Sequence, residues 1–392
     1  MNRRAFLPLL LAAPALRAAA PAPDALTTAK RDAVLTYARI VHATYSDTLI
    51  AARLLSTSLR TFVKSPGPDS LAAARSAWSA ARIPYGRSEV FRYYAGPIDD
   101  ADGPEPLLNS WPLDESWIEG TQGSKDEGII GAPERYPILS PQSIAELNQQ
   151  DGEKNIACGW HAIEFLLWGR DSSKTGPGNR PWTDFSSAPH AARRSAYLLA
   201  CADMIIAYLD DLVSQWAPDN LGNYRAVFEE GIDASIERIL MGIIFLSGTE
   251  LAGERLQVAW DTQEQEDEQS CFSDTTHLDL IANAEGIAIV WNGICTRSDG
   301  TTISGTGLKA VASLADSALS NTISSRITTL LARARAIPPP FDTAIRGDDD
   351  SPGRKAVFSL ITAAEDVAIK TRELATALNC RIPDVPPEDI EG

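Results

Sequence analysis

Histidine is scarce in this chain, with four in 392 residues: His42, His161, His190 and His277. A hydrolytic zinc helix needs two of them, as His-Glu-x-x-His or His-x-x-Glu-His. The one His-x-x-Glu present, His161 and Glu164, is followed by Phe165 where the inverted motif requires its second histidine. No two of the five cysteines stand in a Cys-x-x-Cys spacing, so neither a zinc ribbon nor a c-type haem attachment is signalled. A Gly-rich phosphate loop and a Gly-x-Ser-x-Gly elbow are absent, which leaves nucleotide chemistry and serine hydrolysis without support. Beyond the N-terminus no apolar run is long enough to span a bilayer, and no segment shows sustained strand alternation. Positive charge is in deficit: the net charge is −17 and the pI about 4.7. Such a chain repels nucleic acid and anionic lipid and attracts cations.

What is present begins with MNRRAFLPLLLAAPALRAAAPAP. Arg3 and Arg4, the apolar stretch Phe6 to Leu16 and the small residues Ala18 to Ala20 predict an export signal over residues 1–22, of twin-arginine type. No cysteine stands at its end for a lipid anchor. The rest has the length of about two domains.

The hydrophobic pattern is helical almost throughout. From Thr27 to Lys64 the positions Val34, Tyr37, Val41, Tyr45, Leu49, Ala52, Leu55, Leu59 and Phe62 form one stripe at spacings of three and four, stopped by Pro66-Gly67. A second helix follows Asp69 and is expected to kink or end at Pro84. Residues 97–141, rich in Pro, Gly, Asp and Trp, form a loop too long to be filler. Further helices are expected from Pro141, across the His161 segment, and near 190–216, 223–246, 248–260, 275–292, 306–335 and 352–379. The last has Pro352 at its first position. The class is all-α, two helical-bundle domains over residues 24–185 and 186–385 with the boundary in DSSKTGPGNRPWTDFSSAP.

Chemistry concentrates in NIACGWHAIEFLLWGRD, residues 155–171. His161 and Glu164 are three apart, so a helix sends both side chains from one face, an arrangement that grips zinc, iron or copper. The alternative is a core histidine hydrogen-bonded to a neighbouring carboxylate. Phe165 to Trp168 make the surroundings apolar, and a carboxylate buried there needs a compensating charge or metal. Glu89 in GRSEVFRYY and Asp114 in WPLDESW are acids in settings otherwise built for burial, although the latter also reads as a Trp-rich surface loop. The acidic run from Glu250 to His277 reads as a solvated helix face, or else as a cleft lined by Glu250 and Glu254.

PYGRSEVFRYYAGPID, WPLDE, GWHAIEFLLWGRD, LSGTELAGER and QEDEQSCFSDTTH occur in the order of the imelysin-like family, which the chain resembles over about residues 30–380. The family's Gly-x-His-x-x-Glu motif matches Gly159, His161 and Glu164. The resemblance implies two helical bundles with a site at or near their interface, and an exported protein of the periplasm or outer membrane tied to bacterial iron or haem uptake. It implies a metal ion held by His161 and Glu164, with Glu89 and Asp114 as acidic partners. Iron is the expected metal, with zinc, copper and haem left open. Two further expectations stay beside this one: a periplasmic metallopeptidase of the imelysin type, and a non-catalytic protein that binds a partner from an iron-uptake or redox system. Cys158, Cys295 and Cys380 depart from the family pattern; a disulfide among them, or a soft ligand from Cys158, would account for that.

Overall fold

Asp24 starts the first helix: its carboxylate accepts from the Thr27 amide at 2.7 Å, and helix Ala25–Lys64 runs from there without a break. The computed structural model describes residues 24–121, 124 and 126–387; the export signal expected over residues 1–22 lies outside them. Every position of the expected stripe, Val34 through Phe62, is buried. At about 1.5 Å per residue this helix is long enough to serve both halves of the chain. It packs on helices Pro68–Ser88, Ala191–Gln215, Ile232–Phe245 and Leu308–Ala315.

The all-α class holds, with one small exception. Ile294–Thr296 and Thr302–Ser304 pair antiparallel, Cys295 opposite Ile303, around the RSDG turn. Three residues per strand is too short for alternation to show in the sequence. Helix Thr276–Asn292 lies between helices Pro68–Ser88 and Ser317–Ala334, and the final helix Pro352–Ala377 packs on Ser317–Ala334 and on segment Leu246–Gln257. The predicted 306–335 helix is two, divided where Asp316 ends Leu308–Ala315 and caps Ser317–Ala334 through the Leu319 amide. The 223–246 helix likewise breaks at Gly231. Pro84 does not end its helix, which continues to Ser88 and tightens into a 3-10 turn at Glu89–Phe91. Among the described residues no helix is long and apolar enough to cross a membrane.

Segment Leu246–Gln257 is a π-helix of twelve residues. In an α-helix, side chains five apart point about 140° away from each other. The wider π turn narrows that angle. Glu250 and Arg255 therefore meet, Nε to Oε1 at 2.8 Å, whereas Glu254 is exposed. The expected cleft lined by Glu250 and Glu254 does not form, because Glu250 turns in to Arg255 while Glu254 faces solvent.

All five cysteines are free thiols. Cys295 lies by Thr44 and Cys380 by Glu237 and Lys30. Lys30 and Thr44 are fourteen residues, roughly 21 Å, apart on one helix, so the expected bond between Cys295 and Cys380 is out of reach.

Candidate functional site

Helix Gly159–Trp168 has no wet face; all ten of its residues are buried. Its start depends on Gly159, at φ +88°, where a Cβ would stand 2.5 Å from the Leu108 carbonyl oxygen. Only glycine allows the 107–108 backbone this close in that conformation. The Trp78 indole donates to the Trp160 carbonyl at 2.9 Å, fixing the helix on Pro68–Ser88. At the other end the Arg75 guanidinium donates to Leu167 O at 2.9 Å, and the Arg180 amide to Trp168 O at 2.7 Å. Carbonyls that a helix leaves open are thereby satisfied.

Within this helix His161 Nδ1 and Glu164 Oε2 are 2.8 Å apart, with the two residues 1% and 0% exposed. The second carboxylate oxygen, Oε1, accepts from the Ser273 amide at 2.9 Å and its hydroxyl at 2.7 Å. His161 Nε2 is buried without a hydrogen-bond partner. Burial pushes Glu164 up to about 8, against the Ser273 bonds that favour its charge. Burial likewise pushes His161 down to about 3, helped by the Arg82 cation. At neutral pH the pair is uncharged: Glu164 donates its proton to Nδ1, and Nε2 carries a hydrogen. Removing one proton reverses the bond. Nδ1 then donates to the carboxylate and Nε2 presents a lone pair, the orientation that a carboxylate imposes on a metal-binding histidine.

A chain of buried polar groups surrounds the pair. Arg82 donates to Asp279 Oδ1 at 2.9 Å and to Asn109 Oδ1 at 2.7 Å. Asp279 Oδ2 accepts from the Ser270 hydroxyl at 2.5 Å. Asn109 in turn donates to Glu89 Oε1 at 3.4 Å, and Glu89 Oε2 pairs with Arg255. Arg255 completes its shell on Glu250 and on Asn283 Oδ1, the latter at 2.7 Å. These contacts join the first half of the chain to the second: Arg82 with Asp279, Glu89 with Arg255, Glu164 with Ser273.

The four residues expected to gather are placed differently. His161 and Glu164 touch, and Glu89 lies close enough to act on His161 electrostatically, though its oxygens face Arg255 and Asn109. Asp114 caps the short helix Glu115–Glu119, accepting from the Ser116 amide at 2.8 Å and its hydroxyl at 2.6 Å. Among the described residues no three His, Cys, Asp or Glu side chains share a point at ligating distance. Cys158 does not add to the pair; its thiol donates to Leu107 O at 3.3 Å.

This geometry stands on a fold with known relatives. The imelysin (peptidase M75) family model matches residues 41–370. The chain belongs to the imelysin family. Iron-regulated protein A of Synechococcus elongatus is 24% identical over 340 residues, 84% of this chain and 81% of that protein. Two solved structures share the fold. A candidate iron-regulated protein A precursor from Parabacteroides distasonis superposes with a TM-score of 0.70 at 20% identity, over 91% of this chain and 97% of its own. An imelysin-like protein from Psychrobacter arcticum gives 0.63 at 14% identity, over 92% and 98%.

Ser273, Asp279, Arg82 and Asn283 were not singled out from the sequence. Ser273 and Asp279 fall in or beside the acidic run read as a solvated face. Members of that run are in fact buried, Glu268 and Asp274 among them, and so is Asp279 just beyond it. One signal was available: the run ends in CFSD, two apolar residues and a serine where a solvated face would stay charged.

Proposed function

We propose that this protein is an exported, iron-related metal-binding protein of the bacterial periplasm, acting in iron or haem uptake, with His161 as the donor that meets the metal. One observation carries the reading: His161 is locked at Nδ1 by Glu164, itself held by Ser273, while Nε2 is buried and unpartnered. Such a polar atom costs stability unless something completes it. Imidazole nitrogen suits iron, copper or zinc. Glu164 is cast as the group that orients the ring. Glu89 and Asp114 would serve as ligands only by leaving Arg255 and Ser116. The iron-regulated relative supports the same direction.

A metallopeptidase gains nothing from this arrangement, since a polypeptide cannot reach a pair that is 1% and 0% exposed. Calorimetric titration with ferrous iron, copper and zinc, on wild type beside His161→Ala and Glu164→Gln, tests the proposal. His161→Ala should abolish stoichiometric binding. Glu164→Gln should weaken it about 10- to 100-fold, as loss of an orienting partner does. Absence of binding in the wild type, or full binding in His161→Ala, would sink the metal reading and leave partner binding in its place.

A further inference from the structure

The loop between the π-helical segment and helix Thr276–Asn292 turns a second set of acids inward. Glu268 is 0% exposed, and for its two oxygens only the Thr276 hydroxyl lies near enough to help, at the margin of a hydrogen bond. Asp274, also buried, shares a hydrogen bond with the Asp171 carboxyl and has no other donor to either oxygen. Asp342, in the first turn of helix Phe341–Ile345, gives Oδ2 to Arg346 at 3.0 Å and leaves Oδ1 without a donor. Asp171, just past the His161 helix, accepts from the Ser173 amide at 2.8 Å and from Gln265. These carboxylates act on one another: Asp342 and Asp274 on Glu268, Asp171 and Asp342 on Asp274. Three separate stretches of chain thus bring four acids together against one guanidinium, with little beyond one another and the Thr276 hydroxyl to satisfy five of their oxygens.

Buried carboxylates without donors are neutralised by protons or by a cation. Burial and mutual repulsion push Glu268 up to about 9 and Asp274 to about 7, so proton uptake alone leaves Asp274 half charged at neutral pH. We propose that Glu268, Asp274, Asp342 and Asp171 form the seat of a hard divalent cation of the calcium or magnesium class, distinct from the His161 site. All-oxygen donors select hard ions over iron(II), copper or zinc. Because no three acids converge at ligating distance, the ion keeps part of its water shell and meets some carboxylates through it. A cation here would tie the loop that carries Ser273, and with it the grip on Glu164, to helix Phe341–Ile345.

Thermal melting of the full chain at pH 7.5 in chelator, in calcium chloride and in magnesium chloride tests this, with equilibrium dialysis to count bound ions. One of the two ions should raise the wild-type Tm by roughly 3–4 °C at a hundredfold excess over Kd. Glu268→Gln should melt higher than wild type in chelator, because it no longer has to take up a proton on folding, and should lose the cation increment. Asp274→Asn gives the same reading if Glu268→Gln fails to fold. His161→Ala should keep the increment, so this site and the iron reading fail separately. Equal Tm in all three buffers, or an increment that survives in both acid variants, would overturn the proposal in favour of proton neutralisation.

Discussion

Arg255 is a fully buried cation with three partners. Its guanidinium faces Glu89, Glu250 and Asn283, and both Arg255 and Glu89 are 1% exposed. Arg255→Met removes the charge and keeps most of the volume. Glu89 is then left with Asn109 and with Arg92 at 3.9 Å. Breaking a buried pair from one side costs about 3–5 kcal/mol. About 360 ordered residues, at roughly 2.1 cal/mol/K each, give an unfolding entropy near 0.76 kcal/mol/K. The expected fall in Tm is therefore about 4–7 °C. Asp210→Asn serves as the comparison, since its pair with Arg53 is 63% and 55% exposed; an exposed pair contributes about 0–1 kcal/mol, or about 1 °C here. The double variant Glu89→Leu/Arg255→Met should melt above either single one, because no charge is stranded. Calorimetry on the five proteins reads all of this. If Arg255→Met costs no more than Asp210→Asn, or the double equals the sum of the singles, the ion-pair account of this interior is wrong.

Other outcomes follow from the same geometry. Gly159→Ala places a Cβ against the Leu108 carbonyl at φ +88° and should cost more than about 2 kcal/mol in urea unfolding. Ser273→Ala removes the hydroxyl donor from Glu164 and leaves the amide; the Glu164 pKa should rise further, read by carbon-13 NMR, with about 1–3 kcal/mol lost in stability. Glu268 keeps its proton to about 9 when folded and loses it near 4.5 when unfolded. Its contribution is complete below pH 4.5 and declines as pH rises to 9. Stability in chelator should fall across that window, and Glu268→Gln should flatten the fall.

The stripe of the first helix and the Pro352 start of the last were legible because both are local: apolar spacing and a proline at the first helical position lie within a few residues, although Ser351 before it makes no side-chain cap. His161 and Glu164 were legible for the same reason. Their environment was not. Ser273 is 109 residues from Glu164, Arg255 is 166 from Glu89, and Asp279 is 197 from Arg82, separations across which no periodicity speaks. The acidic run misled because charge in sequence reads as contact with water, whereas here Glu250 turns in to Arg255 of the same run and Asp279, just beyond it, meets Arg82 from another helix. The π-helix escaped notice because it changes the period on which helical reading relies.

The Gly159–Trp168 helix has one more consequence, and it concerns time. With all ten residues covered, nothing diffuses to His161 through open solvent, so entry and departure run at the pace of protein opening rather than of collision. A group bound there would be held with a long residence time even at modest affinity. Mixing experiments should show uptake that saturates with ligand concentration. Titrations equilibrated for seconds would miss a site that fills over minutes.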